Sequence, residues 1–161
     1  MKFPDDRMTI TQVIPHLWQG AMPMPGSDMA EYGVGVRVYL LRAEVPALGF
    51  VGATTLHAPL FDNANDPATD PPTIHGVSWD RMHEFAEEAA QRVRDGRPCV
   101  ALCQWGYNRS GLLVGLTMAK LGYKFSHILA TMRASRGPHP EGYGPALNNH
   151  NFRAYVESVS T

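Results

Sequence analysis

The chain has 161 residues, enough for one domain and too few for two comfortable ones. Fourteen Lys+Arg against fifteen Asp+Glu leave a formal charge of −1, which argues against a general nucleic-acid binder or a polybasic membrane binder, since both need a positive surplus. Apolar residues make up 44 % and charged residues 18 %, beside 15 Gly and 13 Pro; this composition reads as a globular protein with long structured loops, able to bury roughly 70 % of its extended-chain surface.

The first residues, Met1-Lys2-Phe3-Pro4-Asp5-Asp6-Arg7, contain no apolar h-region, so no secretory signal is read there. Thr9–Val13 and Leu17–Gln19 read as short strands split by Pro15. Val34, Val36, Val38, Leu40 and Leu41 form an apolar, β-branched stretch, which predicts a buried strand. Thr54–Leu60 is a weaker strand with Pro59 near its end. The segment from Asp62 to Pro72 is rich in Asp, Asn and Pro and predicts turns rather than helix or strand.

Ser78–Asp95 carries the best helix signal. Met82, Phe85, Ala86, Ala89, Ala90 and Val93 make one stripe, and Gly96 is a stop. Pro98–Leu102 predicts a short central strand, and Ser110–Leu121, apolar on most sides, a buried helix. The longest apolar run, Leu112–Ala119, is still too short and is interrupted by Gly115 and Thr117, whereas crossing a bilayer takes roughly 18 apolar residues. Phe125–Arg136 places Phe125, Ile128, Leu129 and Met132 on one helical face before Gly137-Pro138, and Asn149–Val159 predicts a last helix with Phe152, Tyr155 and Val156. Strands followed by strand–helix alternation predict an α/β fold, a central mixed sheet flanked by helices in a single domain.

The chemistry concentrates between strand and buried helix, in Leu102-Cys103-Gln104-Trp105-Gly106-Tyr107-Asn108-Arg109-Ser110-Gly111. A loop curled at a helix N-terminus converges its backbone N–H groups on one point, and the helix dipole adds positive potential. Arg109 supplies a planar fork for two oxygens of a tetrahedral oxyanion. Cysteines at helix N-termini or beside arginine ionise at pKa values of about 3.5–7.5, which makes Cys103 the candidate nucleophile. The alternative is Cys103 as a small buried hydrophobe and Arg109 as a surface cation. Cys99 and Cys103 on one strand lie roughly 13 Å apart, beyond the ~7 Å limit of a disulfide, so two reduced thiols and a cytoplasmic protein are expected.

Cys103-x5-Arg109-Ser110 resembles the signature loop of the cysteine-dependent protein tyrosine phosphatases, specifically the compact dual-specificity type. The resemblance extends over most of the chain. Ile10-x-x-Val13-x-Pro15-x-Leu17-Trp18-x-Gly20 is similar to that type's opening strand pair. Ala130-x-x-Arg133-x-x-Arg136 with Pro138, and Asn149-x-x-Phe152, are similar to its closing helices. The resemblance implies one phosphatase-like domain over residues 1–161 and hydrolysis of phosphoprotein through a phosphocysteine. It implies Cys103 as nucleophile, and Arg109 with the backbone N–H groups of Gln104, Trp105, Gly106, Tyr107, Asn108 and Arg109 as the phosphate cradle. Ser110 is then the donor that helps the sulfur leave. No metal or other cofactor is implied, and the expected protein is a monomer without nucleic-acid or membrane partner.

The acid that protonates the leaving oxygen is implied to be an aspartate between a strand and the helix before the cysteine strand. Asp62, Asp66 and Asp70 all qualify, Asp62 first because Ala58-Pro-Leu-Phe-Asp62 is nearest the pattern; each also serves as an ordinary turn former. One departure stands out. Leu102 occupies the place of the histidine usual before the nucleophile, removing an expected hydrogen-bonding support of the loop and leaving open a phosphatase-like module that binds anions without turnover. An RNA 5′-phosphatase finds no support in the charge balance. His75 is a candidate substrate contact, and Trp105 and Tyr107 are divided between substrate packing and core packing. The seven histidines show no zinc-binding spacing, and the Asn108-Arg109-Ser110 sequon is discounted because it lies inside the catalytic loop.

Overall fold

The computed structural model describes residues 10–21, 36–40, 54–58, 79–103, 106–139, 142 and 144–160. Among the described residues five strands form one sheet: β1 (Thr11–Ile14), β2 (Leu17–Ala21), β3 (Val36–Leu40), β4 (Thr54–Ala58) and β5 (Cys99–Cys103). Their order is β1-β2-β5-β3-β4. Only β2 and β5 run parallel, with Leu17 opposite Cys99 and Ala21 opposite Cys103; the other pairs are antiparallel, so the sheet is mixed. The strand that ends in Cys103 is therefore central, and all five of its residues are buried.

Between β1 and β2 the chain reverses at Pro15-His16. Proline presets its own φ, and His16 takes φ 69° while its carbonyl accepts from Cys99 N–H at 2.9 Å, tying the turn to the start of β5. Both strands end later than the apolar pattern predicts. The first is Thr11–Ile14 rather than Thr9–Val13, and the second runs to Ala21 because pairing with β5 carries it past Gln19. The cysteine strand likewise starts and ends one residue later than Pro98–Leu102, since Pro98 has no N–H for a ladder.

Helix α1 (Trp79–Arg94) buries Met82, Phe85, Ala86, Ala89 and Ala90, the predicted stripe. It stops in a Schellman arrangement. Gly96, at φ 68°, donates to Val93 O, and Arg97 N–H reaches back to Arg92 O. Helix α2 (Arg109–Lys120) buries ten consecutive residues from Arg109 to Met118. It packs on β2, β3 and β5 and is itself flanked by α1, by α3 (Phe125–Arg136) and by α4 (His150–Val159). A helix enclosed this way has to be apolar on most sides, as its sequence is. Its single buried hydroxyl in mid-helix, Thr117, is satisfied by Leu113 O at 2.8 Å.

On α3 the buried positions are Ile128, Met132 and Arg136, spaced by four, with Phe125 and Leu129 packed at the margin. Asn149 caps α4 rather than belonging to it, its side chain accepting from Phe152 N–H at 3.1 Å. Among the described residues no helix is long and apolar enough to cross a membrane.

Candidate active site

Cys103 is the last residue of β5 and Arg109 the first of α2, so the intervening loop connects the sheet's central strand to its central helix. Gly106 shapes that connection. It adopts φ 76°, and a Cβ there would sit 2.4 Å from Gly20 C and 2.6 Å from Ala21 N, at the end of β2. Only glycine fits both the dihedral and the space. The loop is thereby wrapped over the end of the neighbouring strand, and its turn brings Gly106 N–H to within 3.2 Å of the Cys103 sulfur.

A second group faces the same atom. Ser110 Oγ lies 3.4 Å from Cys103 Sγ. The amide donates to the sulfur, and the thiol donates to the hydroxyl oxygen. Arg136, from the far end of α3, is near enough that charge on Cys103 acts on it. Burial pushes its guanidinium below the usual arginine value, and Tyr107 and Cys103 act in the opposite sense. The other cysteine of this strand has different surroundings. Cys99 is buried with Ala89 O 3.9 Å from its sulfur, and burial raises its pKa to about 12 against the smaller opposing effect of Arg92. Both thiols are free, as expected from their placement on one strand.

The helix start is left open toward the loop. Asn108 occupies the N-cap of α2, yet its side chain makes no capping bond. Its Oδ1 accepts instead from the backbone N–H groups of Asn148 and Asn149, both at 2.9 Å, which docks the entry to α4 against the loop. The positive end of α2 therefore lies beside the sulfur with no carboxylate in its first turn. Arg109 itself is only 8 % exposed. The surface-cation alternative for Arg109 is thus overturned; the helix begins one residue before Ser110 and draws the arginine into the packed layer.

This chain matches no family model and no curated relative by sequence. Its shape is more informative. A mouse protein classed with the dual specificity phosphatases, in a crystal structure complexed with zinc tungstate, superposes with a TM-score of 0.60 at 18 % identity, covering 99 % of this chain and 91 % of that one. Human DUSP28 gives 0.55 at 18 % identity, covering 99 % and 97 %. The fold is that of the dual specificity phosphatases. Its sheet, mixed and flanked by helices, bears out the α/β expectation.

Within the dual specificity phosphatase fold the structure brings together Cys103, Gly106, Ser110 and the start of α2. Gln104, Trp105, His75 and the three aspartates Asp62, Asp66 and Asp70 lie outside the described residues. Tyr107 turns away from the substrate-packing alternative. It is 2 % exposed, donates to Pro138 O at 3.0 Å, and packs against His139 with the rings tilted by 44° and their centroids 4.6 Å apart. Two residues had not been singled out for the site. Gln19 and Arg136 both donate to Gly106 O, at 3.1 and 3.0 Å. Each carries a readable signal. Gln19 falls two residues after buried Leu17 and so on the same strand face, and Arg136 continues the Ile128–Met132 stripe.

Proposed function

We propose that the chain is a phosphomonoester hydrolase acting on phosphoprotein, with phosphotyrosine as principal substrate and phosphoserine or phosphothreonine as further ones. The observation that carries this reading is the Cys103 sulfur, at the end of the central strand, met by Gly106 N–H and Ser110 Oγ beside an uncapped helix start that opens with a buried arginine. A tetrahedral dianion is the ligand class that such a set of donors attracts. The tungstate complex of the mouse neighbour holds an oxyanion of the same shape, in line with this choice.

In the proposed reaction the Cys103 thiolate attacks phosphorus in line. An S–P bond forms as the ester P–O bond breaks, and the electron pair leaves on the ester oxygen, which takes a proton from Asp62. Arg109 and the loop amides from Gln104 to Arg109 hold the three equatorial oxygens, where charge gathers in the transition state. Water, deprotonated by Asp62, then attacks phosphorus. The S–P bond breaks, its pair returns to sulfur, and Ser110 donates to the departing thiolate. These residues suffice for the chemistry in a single copy of the chain, and a reducing compartment such as the cytoplasm keeps the nucleophile as a thiol.

Hydrolysis of p-nitrophenyl phosphate tests the reading. Activity is expected in the wild type and lost in Cys103→Ser, and Arg109→Lys should lower kcat/KM by about 10²-fold or more, because a single ammonium does not reproduce the fork. Asp62→Asn should chiefly lower kcat and flatten the alkaline limb of the pH profile. Full activity in that variant transfers the acid role to Asp70 or Asp66. Leu102, fully buried and with a side chain that cannot hydrogen-bond, favours the second reading, an anion-binding module without turnover. Tight vanadate binding with no product release would select it.

A further inference from the structure

Leu102 offers the loop no hydrogen-bonding side chain next to the nucleophile, yet the loop is held from the neighbouring strand. Gln19 of β2 is completely buried, and its Nε2 lies 3.1 Å from Gly106 O and 3.1 Å from Ser110 Oγ. The orientation of this amide is settled by chemistry. A backbone carbonyl can only accept, so the atom facing Gly106 O must be the NH2 group. The same NH2 then donates its other hydrogen to Ser110 Oγ. With the thiol protonated, Cys103 Sγ also donates to Ser110 Oγ at 3.4 Å; once the thiol has ionised, the hydroxyl oxygen still accepts from Gln19, and the sulfur beside it becomes an acceptor for the serine hydrogen.

Gly106 O is also held by Arg136 Nε at 3.0 Å, while Arg136 Nη1 reaches Gln19 O at 3.3 Å and Thr11 Oγ1 at 3.2 Å. Gln19 and Arg136 thus fix one peptide plane from the β2 side. In a trans peptide the N–H of the next residue points opposite to the carbonyl. Holding Gly106 O toward β2 therefore directs Tyr107 N–H away from it.

We propose that Gln19 is a positioning residue for the phosphatase reaction, directing the Ser110 hydroxyl onto the Cys103 sulfur, while the Gly106 carbonyl keeps Arg136 as a donor even without Gln19. This rests on the phosphatase reading above. Its consequence is specific to one step. A serine hydroxyl aimed at sulfur matters most when the thiolate departs, so loss of Gln19 should slow breakdown of the phosphocysteine more than its formation.

The test uses Gln19→Met, which keeps volume and removes the donor, and Gln19→Glu, which keeps shape and turns the donor into an acceptor. With p-nitrophenyl phosphate, Gln19→Met is expected to lower kcat about tenfold, with KM falling alongside it and kcat/KM changing less than about threefold. A pre-steady-state burst of p-nitrophenol should appear as phosphocysteine accumulates. Gln19→Glu should be worse than Gln19→Met, because its carboxylate captures the serine hydrogen. In a Ser110→Ala background, Gln19→Met should change kcat by less than about twofold, since the group it acts through is gone.

Multiplicative losses in the double variant, or a loss confined to kcat/KM with no burst, would overturn the proposal. If the wild type releases no product, the phosphatase reading fails by itself, and the same cycle is read on iodoacetamide alkylation of Cys103. Gln19→Met should then move the rate–pH profile to higher pH with Ser110 present and leave it in place in Ser110→Ala. A shift of equal size in both backgrounds refutes the role of Gln19, whatever the activity.

Discussion

At the scale of single residues, the site depends on one position where no side chain is tolerated. Gly106→Ala would have to move the backbone at Gly20 and Ala21 and also hold φ 76° with a Cβ present. Left-handed strain of this kind costs about 1–3 kcal/mol, so the variant should fold with a lowered Tm. Its loop can no longer bring Gly106 N–H to the sulfur, and kcat/KM on p-nitrophenyl phosphate should fall by about 10²-fold, which steady-state kinetics will measure. Retention of wild-type kcat/KM would show that the turn at Gly106 is not needed for catalysis. The two cysteines give a second residue-scale expectation. Cys99, its pKa pushed up to about 12, stays protonated and packed near neutral pH. Mass spectrometry of the native protein treated with iodoacetamide should then show one modified thiol, absent in Cys103→Ser; modification of Cys99 at the same rate would contradict this.

Elements rather than atoms explain why the loop stays in place. Its connection to α4 runs through Asn108, whose side chain accepts two backbone N–H groups, and through Tyr107 O, which accepts from Leu147 N–H at 3.0 Å. Asn149 then starts α4 by capping Phe152 N–H. Asn149→Ala should cost about 1 kcal/mol in urea unfolding, the ordinary loss of an N-cap. Asn108→Ala leaves two N–H groups short of their acceptor and should cost more, about 1–3 kcal/mol, with a fall in kcat as well because the loop loses its tie to α4. Equal stability losses with unchanged kcat in both variants would separate α4 docking from the site.

At this scale the sequence is readable where periodicity is strong. The α1 stripe and the apolar run of α2 follow from spacing alone, and the Cys103–Ser110 segment stands out against them. Gln19 and Arg136 carry only a faint signal, a polar residue on a core face. Their partner Gly106 is 87 and 30 residues away in the chain, and spacing within one element carries no information about such contacts. The burial of Arg109 is likewise set by packing of α2 against its neighbours, which no local pattern announces. The acid is hard to assign for a different reason: Asp62, Asp66 and Asp70 share one turn-forming stretch with no periodicity to rank them.

The whole molecule should show the buried thiol in its stability. The Cys99 pKa rises from 9.0 to about 12 on folding. Its neutral form is therefore favoured in the native state, and the unfolded chain releases the proton first. Stability from this group is fully present below pH 9, falls by about 1.4 kcal/mol per pH unit above it, and is lost as pH passes through 12. Urea unfolding between pH 8 and pH 11 should show this slope, and Cys99→Ala, less stable at pH 8, should flatten it. An unchanged slope in Cys99→Ala would place the alkaline sensitivity elsewhere.

The central claim is that Cys103 carries the phosphoryl group. Acid-quenching the protein during turnover of p-nitrophenyl phosphate, followed by peptide mass analysis, tests it most directly. The account predicts a phosphate adduct on the peptide containing Cys103, absent from Cys103→Ser together with product release. Product release that persists in Cys103→Ser, with no adduct on the wild-type peptide, would contradict it.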